Sequence, residues 1–315
     1  MKIISVVVPT FNEEKSVEVI YDRILSVFES QLLNYDFELI FADNCSEDNT
    51  RTLLRKLAAQ DKRVKCIFNS KNFGFSRNVF HALKQGSGEA TFLVYGDLQD
   101  PPELIVDFIS EWEKGHQVVV GQKLVSKENW LMFKFRSIFY WIMDRFGEID
   151  QIKHFVGFGL YDKKFINILH EIDDPNPYLK GIVVEFGSNI KIIQYTQEKS
   201  NRGFSNFNFI RNYDVAMQGI TSYTTVFLRL AIFMGVFVGF LSFIFAIVVA
   251  FQKALNWDKF ALGFPSLLVG VFFLGAVQLF FIGIVGEYIL SINTRVMKRP
   301  HVIEEERINF SEDGE

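Results

Sequence analysis

Two stretches near the C-terminal end of the chain carry no charge: residues 230–251, a run of 22, and residues 260–285, a run of 26. A helix of about 20 apolar residues crosses a bilayer core of roughly 30 Å. A helix packed inside a soluble domain usually keeps a polar face, and neither stretch has one. The expectation is a two-helix transmembrane hairpin over residues 229–290. Arg211 and Arg229 precede the first stretch, and Arg295, Lys298, Arg299 and Arg307 follow the second. Of basic residues, the short connection holds only Lys253 and Lys259. That balance predicts both flanks, and so both termini, on the cytoplasmic side. The N-terminal apolar run 3–8 is ended by Pro9 and reads as a strand rather than a signal peptide.

From residue 1 to about 125, apolar runs alternate with helical patterns. Strands are predicted at 3–8, 37–42, 64–68, 90–94 and 118–121. Helices are predicted at 17–28, 50–59, 77–84 and 104–112. Continuous apolar strands of this kind belong to a parallel sheet covered on both faces. Regular strand–helix alternation implies a doubly wound, mostly parallel α/β domain. Between 126 and 206 the pattern loosens, with a helix predicted at 130–146 and strands at 158–162 and 190–196. Residues 207–228 read as one or two interfacial amphipathic helices, an ordinary amphipathic helix packed on the domain being the alternative. The domains expected are a cytoplasmic catalytic unit over 1–206, the juxtamembrane segment 207–228, the hairpin, and a cytoplasmic tail over 291–315. The acidic tail, Glu304 to Glu306 and Glu312 to Glu315, is expected to be solvated and mobile.

The sequence Asp97-Leu98-Gln99-Asp100-Pro101-Pro102-Glu103 lies between a predicted strand and a helix whose start the prolines mark. In an open α/β sheet that edge is where ligands bind. Hard oxygens there suit Mg²⁺ or Mn²⁺ holding a phosphate. Three more strand ends carry polar residues: Pro9 to Glu14, Asp43 to Thr50, and Asn69 to Gly74. Each alone reads equally well as a turn or helix cap. Together they outline one ligand-binding edge. The five histidines are scattered, and Cys45 and Cys66 lack metal-type spacing and are expected as free thiols. The net charge of −4 argues against nucleic acid as a partner.

The runs VVVPTFNEE, DNCSEDNT, NSKNFG, DLQDPPE, GFGLYDKK and NRGFSNF, with GEYILSINTRVMKRP after the second apolar stretch, resemble family 2 glycosyltransferases of the GT-A fold. The nearer resemblance is to the polyprenyl-phosphate subgroup, which includes bactoprenol glucosyltransferases and dolichol-phosphate mannose synthases. It implies a hexosyltransferase of the bacterial inner membrane. The donor would be a nucleotide sugar, UDP-glucose favoured, and the acceptor undecaprenyl phosphate, for glycan or O-antigen modification. It implies that Pro9, Asn12, Glu13, Asp43 and Asn72 serve the nucleotide, and that Asp97 and Gln99 bind Mg²⁺ or Mn²⁺. Asp100 would border the sugar, Arg202 would fold over the phosphates, and Arg136 beside Ser137 would meet the acceptor phosphate. A homo-oligomer is compatible with this reading.

The sequence departs from the pattern at three places. Tyr95 stands where many relatives have Asp. Asp43-Asn44-Cys45-Ser46 replaces Asp-Asp-Gly-Ser. Phe158 stands where bactoprenol enzymes often carry an acid. Two rival functions stay open: sugar transfer to a hydroxyl of a lipid-linked glycan, which needs a base, and a non-catalytic nucleotide-sugar-binding scaffold. Glu287, just past the second stretch, is expected in a structural ion pair with Arg295 or another basic residue.

Overall fold

The computed structural model describes residues 1–124, 137, 141, 143–147, 149, 151–197, 217–255 and 264–310. Strands and helices alternate as β1 (Lys2–Thr10), α1 (Val17–Ser30), β2 (Tyr35–Asp43), α2 (Thr50–Gln60), β3 (Val64–Asn69), α3 (Phe75–Leu83) and β4 (Ala90–Leu93). A single 3₁₀ turn, Pro102–Leu104, leads into α4 (Ile105–Glu113). Then come β5 (Val118–Lys123), β6 (Phe155–Asp162), α5 (Lys163–Glu171), α6 (Leu179–Phe186) and β7 (Ile190–Tyr195). Two long helices follow, α7 (Val226–Leu255) and α8 (Phe264–Val296), and then β8 (Glu304–Ile308).

The strands form one mixed sheet in the order β7-β5-β6-β4-β1-β2-β3-β8. Pairing is parallel for β1 with β2 and β4, β2 with β3, and β5 with β7; β6 runs against β4 and β5, and β8 against β3. The expected mostly parallel sheet is present, with β6 and β8 as its two reversed strands. Val6, Val7 and Val8 on β1 are all fully buried. Such a strand is covered on both faces, which explains its unbroken apolar run. Phe92, Phe108 and Phe158 meet edge-on or tilted with ring centroids 5.1–5.6 Å apart, locking α4 to β4 and β6. Both cysteines are free.

This topology places the carboxyl ends of β1, β2, β3, β4, β5 and β7, and the start of β6, along one edge. The opposite edge is tied by a buried carboxylate. Glu38 accepts from Lys65 Nζ at 2.5 Å, Ser87 N at 2.6 Å and the Ser5 hydroxyl.

Helices α7 and α8 contain stretches long and apolar enough to cross a membrane, Val226–Phe245 and Gly270–Val296. Their side chains face outward, with Phe233, Phe272 and Leu279 each 70–71% exposed. The end of α8 is fastened to the domain. Arg295 reaches Asp174 Oδ2 at 3.3 Å and Ser222 Oγ at 2.6 Å, and Tyr288 OH donates to Thr224 O at 2.7 Å. Arg295, considered as a partner for Glu287, is thus engaged by Asp174. Residues 217–223 are helical and carry the buried Ile220; residues 207–216 of the expected juxtamembrane segment lie outside the described residues.

The acidic tail departs from expectation. Glu304 to Glu306 are not simply solvated; they open β8, which completes the sheet against β3. Arg51 and Arg55 are four residues apart on α2, so they project from one side of the helix. They meet Glu305 and Glu306 at 2.9 and 2.6 Å. Asn309 Nδ2 donates to Ala58 O and Val64 O at 2.6 and 2.8 Å, and Phe310 packs on the core. Residues 311–315, with the second acidic group, lie outside the described residues.

Candidate active site

The strand ends enclose an open cleft of about 560 Å³. Pro9, Glu13, Asn72, Asp97, Gln99 and Asp100, six of the residues singled out from the sequence, line it together. The first and last of them, Pro9 and Asp100, are 91 positions apart in the chain, and the parallel topology brings all six to one edge.

One wall is the turn after β4. Leu98 adopts φ +58°, which reverses the chain, and Gln99 N donates to Asp97 Oδ1 at 3.2 Å. Asp97 is half-buried and borders the cleft. Gln99 Oε1 accepts from Gln197 Nε2 at 2.6 Å. Asp100 is 1% exposed. Its Oδ1 accepts from the Tyr195 hydroxyl and, at 3.4 Å, from Gln197. Burial pushes the Asp100 carboxyl above its ordinary range; Lys123 and these hydrogen bonds offset part of that rise.

The facing wall is built from amides. Asn44 Nδ2 donates to Asn72 Oδ1 at 2.8 Å, and Asn69 Nδ2 to Asn78 Oδ1 at 2.9 Å. Phe73 N donates to Asn44 Oδ1 and Gly74 N to Asn72 Oδ1, at 3.0 and 2.9 Å. This network orients polar groups without placing a charge there. Thr10 Oγ1 is buried at the cleft without a hydrogen-bond partner among the described residues. A buried polar atom of this kind calls for a ligand or water.

Two of the expected nucleotide residues lie behind the wall. Asp43 is fully buried, and its carboxylate accepts from Ser46 N and Arg51 Nε, both at 3.0 Å, and from the Ser46 hydroxyl. Burial raises its pKa, against the pull of Ser46 and Arg51. Asn12, at φ +56°, ties the loop after β1 to the loop after β2. Its N donates to Ser46 Oγ at 2.8 Å, and its Oδ1 accepts from Glu47 N at 2.9 Å. Arg136 and Arg202 lie outside the described residues. Thr10 and Asn44, from the polar strand ends, also line the cleft, as do Lys123, Asn78 and Gln197, which the sequence did not single out. Lys123 closes a strand that had been recognised, so the rule of polar strand ends, applied once more, reaches it.

The departures at Tyr95 and Phe158 have separate structural roles. The Tyr95 hydroxyl donates to Val156 O at 2.6 Å, and its ring packs 5.3 Å from Phe75. Gly157, at φ +111°, makes room for it: a Cβ there would lie 2.5 Å from the Tyr95 hydroxyl. Phe158 is fully buried between Phe92, Phe108 and Tyr195, so its side chain belongs to the core rather than to the cleft.

Among the described residues no group of three or more His, Cys, Asp or Glu is placed to hold a metal ion. Asp97 offers a carboxylate, and Gln99 an amide oxygen that already accepts from Gln197 Nε2 at 2.6 Å. That set suits Mg²⁺ or Mn²⁺, which complete their coordination with substrate phosphate and water. The Oδ1 atom of Asp100 is already engaged by Tyr195 and Gln197.

A family model described as glycosyl transferase family 2 matches residues 5–187, more than half of the chain. The SfII prophage-derived bactoprenol glucosyl transferase of Shigella flexneri is 33% identical over 302 residues, covering 95% of this chain and 96% of that protein. The prophage bactoprenol glucosyl transferase homolog of Escherichia coli (strain K12) is 31% identical, covering 95% and 97%. Such coverage takes in the hairpin. Among solved structures, S. aureus TarS 1-349 in complex with UDP-GlcNAc overlaps 70% of this chain and 66% of that one, at 16% identity and a TM-score of 0.46. With its own family model across the α/β domain and relatives matched nearly end to end, the chain belongs to glycosyl transferase family 2.

Proposed function

We propose that this glycosyltransferase is a membrane-anchored, inverting enzyme that moves a hexose, glucose favoured, from a UDP-sugar to polyprenyl phosphate. The observation that carries the reading is the near full-length likeness to bactoprenol glucosyl transferases, which spans both the cleft-bearing domain and the two apolar helices. The hairpin would hold the domain at the inner face of a bacterial plasma membrane, where a lipid-linked phosphate is at hand. The lipid-linked sugar would then serve glycan or O-antigen modification.

Within this reading Pro9, Glu13 and Asn72 contact the nucleotide, and Asn12 and Asp43 shape its pocket from behind. Asp97 and Gln99 would hold Mg²⁺ or Mn²⁺, which neutralises charge developing on a leaving diphosphate. Asp100 borders the sugar. The Arg202 and Arg136 roles, at the donor phosphates and the acceptor phosphate, rest on sequence alone. A phosphate acceptor fits the lack of an acid at Phe158. Its second pKa is about 6, so it is mostly a dianion at neutral pH and needs no general base.

The test is incubation of detergent-purified protein with a panel of nucleotide sugars and undecaprenyl phosphate, followed by mass analysis of the lipid. A hexose added to the lipid phosphate with inverted anomeric configuration is the expected product. Transfer to a polyprenol as fast as to its phosphate would reject the acceptor assignment.

A further inference from the structure

Strand β8 brings a carboxylate from beyond the apolar hairpin to the back of the cleft. Arg51, in the first turn of α2, has three partners there. Its Nε donates to Asp43 Oδ2 at 3.0 Å, and its Nη2 donates to Asn69 O at 3.0 Å and to Glu305 Oε2 at 2.9 Å. Asp43 ends β2 and Asn69 ends β3, so one guanidinium fastens two adjacent strand ends. Both ends continue directly into the amide wall. Asn44 follows Asp43, and the Asn69 amide donates to Asn44 Oδ1 and Asn78 Oδ1 at 3.3 and 2.9 Å. Through Ser46, which donates to Asp43 and accepts from Asn12 N, the same fastening reaches the loop after β1.

We propose that Arg51 is a positioning residue for the nucleotide-facing wall of the cleft, and that Glu305 of β8 holds its guanidinium in register. The inference rests on the reading that this cleft takes a nucleoside diphosphate. A planar guanidinium with rigidly directed donors can serve three acceptors at once, whereas a lysine ammonium lacks that fixed geometry. Without Glu305, Nη2 keeps Asn69 O alone, and the guanidinium gains freedom to swing toward solvent. The neighbouring pair, Arg55 with Glu306, joins the same two elements but lies in the open, with side chains 43% and 38% exposed. Among the described residues its hydrogen bonds join only Arg55 and Glu306 and do not reach Asp43 or Asn69, so it serves as an internal control.

The experiment uses full-length protein in detergent with Mg²⁺ and measures UDP and GDP binding by calorimetry, with melting temperature recorded alongside. Glu305→Ala should weaken binding of the preferred nucleotide about 5-fold, the scale of one partly exposed ion pair. Glu305→Gln keeps an acceptor oxygen for Nη2 and should restore affinity to within about twofold, since much of the contact is geometric. Arg51→Lys should weaken binding by about 10-fold or more. Glu306→Ala should lower the melting temperature about as much as Glu305→Ala yet leave affinity within about twofold, as expected of an exposed pair that makes no hydrogen bond to Asp43 or Asn69. Equal weakening in the two alanine variants, or none in either, overturns the role given to Arg51 and Glu305. Wild-type protein that binds neither nucleotide overturns the nucleotide reading itself, and this inference with it.

Discussion

The sheet and the hairpin are built from the same kinds of apolar side chain, set in opposite surroundings. On β4, Phe92 is fully buried between Phe108 and Phe158; on α8, Phe272 is 70% exposed. Inside the sheet, apolar runs are short, end in polar turns and meet other runs. In the two long helices they are long and, among the described residues, leave most of their surface exposed. The difference teaches that burial must be supplied from outside for the second region. A lipid bilayer is the surface of matching chemistry.

The largest expected effect follows from that contrast. Full-length protein should stay in the membrane fraction through high-salt and carbonate washes and leave it only with detergent. Recovery in the washed supernatant would break the comparison. Next is a pair of substitutions. Phe92→Ala opens a cavity in a closed core and should cost about 3–5 kcal/mol. Phe272→Ala faces outward and should change stability in detergent by no more than about 0.5 kcal/mol. Thermal melts of both variants measure this, and equal losses would mean that the hairpin packs like a core.

Asp97→Asn divides the two regions by chemistry instead of packing. It should lower the transfer rate at least ~100-fold, the scale for losing a preorganised charge at the reacting group. Extraction by detergent should be unchanged. Chelation with EDTA should match the loss, and added Mg²⁺ should reverse chelation but not the substitution. Activity that persists in chelator would remove the metal from the proposal.

The smallest effect concerns the strand that rejoins the regions. Burial alone would raise the Glu304 pKa, but hydrogen bonds from His81 and Arg307 outweigh it and hold the group down, from 4.5 to about 2. A carboxyl that binds its proton less readily when folded stabilises the fold fully above its unfolded value. The contribution is lost as pH falls through the folded value. Glu304→Gln should therefore melt below wild type at pH 7, and the gap should narrow between pH 4.5 and 2. A gap constant across that window would show that Glu304 acts by packing alone.

The parallel core was legible because β1 to β4 are apolar runs, each broken by a single polar residue (Ser5, Glu38, Lys65 and Thr91), and each is followed by polar residues. The DLQDPPE turn was legible for a related reason: two prolines mark a helix start, and two carboxylates with an amide cluster before it. Reversal of β6 was not legible, since periodicity marks a strand but not its direction. Nor was the seat of Asp100 under Tyr195 and Gln197, because both come from the far end of β7 and the residues after it. Glu304 to Glu306 look alike in composition to any solvated acidic tail. The signal that could have found the partner strand is the spacing of Arg51 and Arg55 on one side of α2. Asp43 looked like a ligand residue at a strand end, but its protein neighbours satisfy it from behind.

The return of β8 also sets an order of assembly. Asn69 ends β3 and pairs with Glu304, 235 residues later by their numbering. At a synthesis rate of about 5–20 residues per second, that separation takes roughly ten seconds to a minute. Throughout that interval the edge of β3 has no partner strand, while both apolar helices are made and must find their own surroundings. An open strand edge is a template for wrong pairing. The sheet therefore closes last, after the hairpin has been made, and a chain that stalls between the two would be held with its sheet unfinished.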